Sequence, residues 1–203
     1  QRAGIRVLAV DVKAMGADAT ITTDNSQAGQ IACTHLAREL GGKGQVVILN
    51  GPSVSSVLER VEGCKKVLQQ YPQIHLLSDT ENAGGSRQGG REKMIHLMTA
   101  FAHIDGVFSI NDQIAAGAEQ AAKQAGRNEL IIVGVDGAPI AKKRLKEADT
   151  LLRGTAAQFP NRMAERAVEL GYRLMKGETL ANPVQLIPSE LITRDNVDQY
   201  PQW

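Results

Sequence analysis

Residues 106–137 read GVFSINDQIAAGAEQAAKQAGRNELIIVGVDG, and the order of signals in this stretch decides the fold. GVFSI, 106 to 110, is a short apolar run with strand character. Asn111 and Asp112 then open a helix that is alanine-rich on its buried side and closed by Gly126. LIIVGV, 130 to 135, is a second strand, and it stops at Asp136. A strand, a helix and a returning strand at this spacing describe a crossover unit with parallel strands.

The same alternation extends in both directions. Upstream, IRVLAV (5 to 10) stops at Asp11, ATITT (19 to 23) is a shorter β-like piece, and QVVIL (45 to 49) stops at Asn50 and Gly51. Between them Ala28, Ile31, Ala32, His35, Leu36 and Leu40 recur at helical spacing from Asn25 until Gly41 and Gly42. Further helices are predicted over about 55–70, 86–101, 138–148 and 161–176, with strands at QIHLLS, LLRGTAAQ and PVQLI and a final ELITRDNVDQY. The expected class is α/β, a parallel sheet with helices on both faces in three αβα layers. Near-continuous apolar strands such as VVIL and LIIVGV fit a sheet buried on both sides.

Composition narrows the function. The 203 residues carry 23 basic and 22 acidic side chains, a net charge of +1, so no nucleic-acid surface or acidic tail is indicated. No apolar run approaches the roughly 20 residues of a membrane helix, and QRAGIRVLAV lacks the parts of a signal peptide. Two cysteines exclude a disulfide scaffold and a four-cysteine zinc site. Cys33 and Cys64, each on a predicted helix, are read as buried thiols, although an oxidising compartment would permit a bridge.

Ligands of open α/β sheets sit beyond the carboxyl ends of the strands. Here those ends carry Asp11, Asn50, Asn111 and Asp136. Any one of them reads as a helix cap; four together point to a polar rim that suits a small polar molecule. Other signals are weak. Gly84, Gly85, Gly89 and Gly90 form no phosphate-binding loop, the serines of PSVSS form no nucleophile elbow, and His35, His75, His96 and His103 lack metal spacing. Lys142, Lys143, Arg144 and Lys146 read as a solvated helix face. No catalytic constellation is found, so no enzyme, metal or cofactor is expected.

VDV at 10–12, LERVEG at 58–63, FSIND at 108–112, VGVDG at 133–137 and TAAQFP at 155–160 resemble the type I periplasmic sugar-binding proteins, above all ribose binders. PSELITRDNVDQY is similar to the tail of that family, and the resemblance runs the length of the chain in order. It implies a two-lobed clamp joined by three crossing segments, which closes on a sugar. Residues 1–25 would belong to the first lobe, 26–157 to the second, 158–187 would cross back, and 188–203 would return as a tail. Family members begin with several βα units before the segment matching AGIRVLAVDV, so the first lobe is expected to be incomplete here.

By the same resemblance Asp11, Arg60, Asn111, Asp136 and Gln158 fall on polar sugar contacts. Planar carboxylate, amide and guanidinium groups can bracket neighbouring hydroxyls. Arg60, flanked by Glu59 and Glu62, also reads as an exposed helix charge, and Asn50 matches no family contact and is read as a cap. Ribose binders carry an arginine where this chain has Val12 and a stacking aromatic where it has Gly85, which implies another pentose, a hexose or a small polyol. The function implied is delivery of a monosaccharide to the membrane permease of an ABC transporter, by a periplasmic monomer whose precursor has a signal peptide. The alternative is the effector-binding domain of a LacI-type repressor, which shares the fold and would need an upstream DNA-binding helix-turn-helix.

Overall fold

The computed structural model describes residues 4–200. The chain runs β1 (Leu8–Val10), β2 (Ala19–Thr23), α1 (Asn25–Glu39), β3 (Lys43–Asn50), α2 (Ser55–Leu68), β4 (Gln73–Asn82), α3 (Arg87–Ala100) and β5 (Gly106–Ser109). It continues through α4 (Asp112–Gln124), β6 (Ile131–Asp136), α5 (Pro139–Lys146), β7 (Leu152–Ala157), α6 (Pro160–Met175), β8 (Val184–Ile187), β9 (Glu190–Ile192) and a 3-10 turn, Val197–Gln199.

The strands form two sheets. The larger has the order β4-β3-β5-β6-β7-β9 and the smaller β1-β2-β8. All pairings are parallel except β7 with β9, which is antiparallel. The parallel architecture is as expected, with one antiparallel edge strand: β9 follows β8 after only Pro188 and Ser189 and runs against β7. The strand expected at 5–10 is confined to Leu8–Val10, and β4 runs on to Asn82, beyond the expected QIHLLS.

Val46, Val47, Ile48 and Leu49 are all inaccessible to solvent. Successive strand side chains point to opposite faces, so both faces of the larger sheet must be covered. Two glycines show by what. A Cβ at Gly106 would meet Leu36 and Leu40 of α1, and one at Gly134 would meet Asp112 and Ala115 of α4. Gly106 pairs with Ile131, and Gly134 is three residues on, so the two point to opposite faces and α1 and α4 lie on opposite sides of the sheet. The smaller sheet buries Ala19 and Ile21 against Met163, Leu170 and Leu174 of α6.

One sequence expectation is overturned. Cys33 and Cys64 form a disulfide, with sulfurs 1.96 Å apart, that joins α1 to α2. The reason lies in two glycines. A Cβ at Gly29 would fall 2.0 Å from the Arg60 carbonyl oxygen, and one at Gly63 would fall 2.2 Å from that of Ser26. The helices touch backbone to backbone, which brings the cysteine Cα atoms to 5.1 Å, within bridging range.

The chain passes between the sheets three times, at Asp24, at Gln158 and Phe159, and at Pro188 and Ser189. These crossings are bonded to one another. Asp24 N donates to Ile187 O at 2.8 Å, Thr23 Oγ1 to Gln158 Oε1 at 2.9 Å, and Ser189 Oγ to Ala157 O at 2.8 Å.

Candidate functional site

Asp11, Asn111, Asp136 and Gln158 all stand just beyond, or at the last residue of, the carboxyl ends of parallel strands, and the crossings pass beside them. Asp136 is the centre. Its Oδ1 accepts Gln158 Nε2 at 2.7 Å and Arg60 Nη1 at 3.1 Å, while Oδ2 takes no hydrogen bond from the described residues. Burial pushes this carboxyl up to about 6. Arg60 and the Gln158 amide oppose that rise, and the charge of Asp11 adds to it, which places Asp11 within electrostatic reach.

Arg60 is buried, so the reading of it as an exposed helix charge does not hold. Its Nε donates to Asn25 Oδ1 at 2.9 Å, and its Nη1 donates to Ile110 O at 2.7 Å as well as to Asp136. Nη2 makes no hydrogen bond with the described residues, leaving two donors for a ligand. Gly63 and Gly29 let Arg60 arrive at this depth, because they seat α2 directly on α1.

Asn25 and Thr23 belong to the same network and were missed as site residues. Asn25 is buried; its Nδ2 donates to Thr22 Oγ1 at 3.1 Å and Thr23 O at 3.0 Å. Thr22 Oγ1 in turn donates to the Asp11 carbonyl at 2.5 Å. A line of hydrogen bonds thus runs from Asp11 through Thr22, Asn25 and Arg60 to Asp136, Gln158 and Thr23. Periodicity marked Asn25 only as the start of a helix, and nothing local in the sequence links it to position 60.

Asn111 caps α4, its Oδ1 accepting Ile114 N at 2.9 Å, and its Nδ2 donates to Gly85 O at 3.0 Å. It adjoins the site through Ile110, whose carbonyl Arg60 holds. Asn50 is not a helix cap: α2 begins after Val54. Its Nδ2 donates to Asp79 O and its Oδ1 accepts Gly51 N, so it ties the end of β3 to β4. Gly84 and Gly85 take φ of 62° and 74°, a left-handed pair that disfavours a side chain at either position.

Among the described residues only two that are not glycine have positive φ: Asp11 at 75° and Asp136 at 129°. Strained backbone of this kind concentrates at functional sites. Both are strand-end carboxylates, and the charge of Asp11 is felt at Asp136. Two acceptors, a buried guanidinium and two amides can match the donors and acceptors of adjacent hydroxyls; among the described residues no group of His, Cys, Asp or Glu could hold a metal ion.

Comparison with known proteins places the chain in a family. A family profile described as "Periplasmic binding protein domain" matches residues 1–179. The chain belongs to the periplasmic binding protein family. Within that family it is 36% identical over 200 residues to the xylitol-binding protein of Mycolicibacterium smegmatis, covering 96% of this chain and 56% of that protein. It is 31% identical over 180 residues to the ribose import binding protein of Escherichia coli K12, covering 87% and 60%. The chain thus spans somewhat over half the length of these relatives, which are binding proteins and not enzymes. Among solved structures, a periplasmic solute-binding protein of an ABC transporter from Actinobacillus succinogenes 130z, with bound D-allose, superimposes with a TM-score of 0.89 at 25% identity. That match covers 98% of this chain and 73% of the other. The family is the ribose-binding-like, type I periplasmic binding protein, with α/β architecture throughout.

Proposed function

We propose that the full-length protein binds a monosaccharide or small polyol between two lobes and delivers it to the membrane permease of an ABC transporter. The observation that carries this reading is the Asp136 carboxylate, fixed by Arg60 and Gln158 through one oxygen and leaving the other for a hydroxyl. Asp11, Asn111 and the free Arg60 nitrogen surround it as further polar contacts. In this reading β1, β2, α6 and β8 belong to the first lobe, and the larger sheet with its helices is the second. The bonded crossings at Asp24, Gln158 and Ser189 are the joint between them.

An extracytoplasmic location is supported by the Cys33–Cys64 disulfide, because such bridges persist in oxidising compartments and are rare elsewhere. The repressor alternative gains no comparable support, since the relatives named above are import and binding proteins. Neither Val12 nor Gly85 favours ribose, and the relatives bind several sugars and polyols, so the ligand is proposed only to that class.

Calorimetry on the full-length protein with a panel of pentoses, hexoses and alditols tests the proposal. One or more should bind, with Asp136→Ala and Asn111→Ala abolishing the heat and the accompanying thermal shift. If no compound in the panel gives either signal, the assignment fails.

A further inference from the structure

The turn after β6 is the most constrained part of the site. Asp136 and Gly137 take successive positive φ of 129° and 68°. Glycine adopts such angles without penalty, but an aspartate there must be held by its surroundings. Three hydrogen bonds hold this turn: Gln158 N donates to Asp136 O at 2.9 Å, Gly137 N to Thr155 Oγ1 at 3.1 Å, and Ala138 N to Asp112 Oδ2 at 2.8 Å.

Asp112 reaches the turn from another element. It stands in the first turn of α4, next to Asn111, and its side chain crosses over β6 with 1% of the residue exposed. The crossing is possible only because residue 134 is glycine: a Cβ there would fall 2.4 Å from Asp112 Oδ1. Among the described residues Oδ1 has no hydrogen-bond partner, while Oδ2 takes the backbone N–H behind Asp136 and the Thr155 hydroxyl lies beside the carboxyl. Burial, and after it the neighbouring charge of Asp136, push this carboxyl well above the usual carboxylate range, toward the neutral acid, while the Thr155 hydroxyl, the Ala138 N–H and Arg60 oppose. A neutral acid still accepts from Ala138 N and adds no second negative charge behind the ligand carboxylate.

We propose that Asp112, together with Thr155, is the positioning residue of the ligand site, holding the Asp136 backbone in its left-handed conformation so that the carboxylate meets Arg60 and Gln158. This rests on the reading of Asp136 as a ligand contact. Neither Asp112 nor Thr155 would touch the ligand, both being buried behind the turn.

The test uses the full-length protein and two readouts. The first is the amide-to-Hα scalar coupling of Asp136 by NMR, which reports φ without any ligand. It should be small in the wild type and in Asp112→Asn, whose side-chain oxygen keeps the acceptor, and should rise in Asp112→Ala as the turn relaxes to negative φ. The second is affinity by calorimetry for xylitol and D-ribose as probes. Asp112→Ala should lose about 30-fold, the scale of a lost hydrogen bond at a charged site, with Asp112→Asn within about threefold of wild type. Thr155→Val, which removes the acceptor for Gly137 N and the hydroxyl beside Asp112, serves if Asp112→Ala fails to fold, and should raise the coupling and weaken binding in the same direction. An unchanged coupling in Asp112→Ala or Thr155→Val overturns the proposal, as does an Asp112→Asn variant no better than Asp112→Ala. If the coupling behaves as expected but neither probe binds even the wild type, the positioning stands and the choice of ligand is at fault.

Discussion

Asp136 holds its carboxylate between a guanidinium and an amide, yet burial keeps its proton affinity high. The carboxyl ionises near 3.8 when solvated and near about 6 in the native state. Between those values the native protein binds more proton than the unfolded chain, so this group's contribution to stability is full below the lower value and is lost as pH rises through about 6. Ligand affinity at the proposed site should run the other way, because there the ionised form would accept sugar hydroxyls. We therefore expect that, from pH 4 to 7, ligand-free wild type loses melting temperature relative to Asp136→Asn while its sugar affinity rises; calorimetry and thermal melts across that range check both signs. Opposite slopes are the signature of a group kept for binding at the expense of folding. Arg60 gives a second expectation at this scale. Truncation in Arg60→Ala strands Asn25 Oδ1, the Ile110 carbonyl and the Asp136 charge at once. Breaking a buried ion pair from one side costs about 3–5 kcal/mol, so chemical denaturation should show a loss of that order and calorimetry no detectable sugar binding.

Among the elements, α1 and α2 carry the greatest burden, since Asn25 rides on one and Arg60 on the other. Their fit comes from Gly29, Gly63 and the Cys33–Cys64 bridge. In the chain-entropy picture a cross-link spanning 31 residues stabilises by about 3–4 kcal/mol. Guanidinium unfolding with and without reductant should recover a difference of that order, with Cys33→Ala reproducing the reduced protein. Gly63→Ala should be worse for the site than for the fold: the new methyl must push α2 off the Ser26 carbonyl, drawing Arg60 away from Asn25, and sugar affinity should fall more than melting temperature. The bridge also marks the limit of what the sequence could tell. Alternating apolar runs and capped amphipathic segments gave the order of strands and helices, and position after a strand singled out Asp11, Asn111 and Asp136. What periodicity does not encode is which helix faces which. Cys33 with Cys64, Asn25 with Arg60, Thr23 with Gln158 and Asp112 with Ala138 are all contacts between elements, and each had to be seen in three dimensions. Arg60 and Gln158 were reached only through the family resemblance.

At the scale of the whole molecule the two sheets differ in how much apolar surface secures them. The larger is buried on both faces at its centre, with β5 buried throughout and the middle residues of β3 and β6 buried beside it. The smaller rests on Ala19, Ile21, Met163, Leu170 and Leu174, while Val10, Val184 and Leu186 of its strands stay exposed. Apolar burial is the main favourable term in folding, so local opening should cost much less in the smaller sheet. Yet the proposed site would draw on both: Asp11 follows β1, and Thr23 ends β2, while Arg60, Asn111 and Asp136 stand on the larger sheet and its helices. Hydrogen exchange followed by mass spectrometry on this 203-residue chain should therefore show β1, β2 and β8 exchanging early and β3, β5 and β6 last. The crossings would fall between, because Asp24 is bonded to Ile187, Gln158 to Thr23 and Ser189 to Ala157, each across from one segment to another. In the full-length protein with a bound sugar, protection should rise most at Thr23, Gln158 and the turn at Asp136, where the two bodies share one hydrogen-bond network. Uniform protection of both sheets in the ligand-free chain would mean that they fold as one cooperative unit, and that the weaker sheet draws its stability from the stronger through the three crossings.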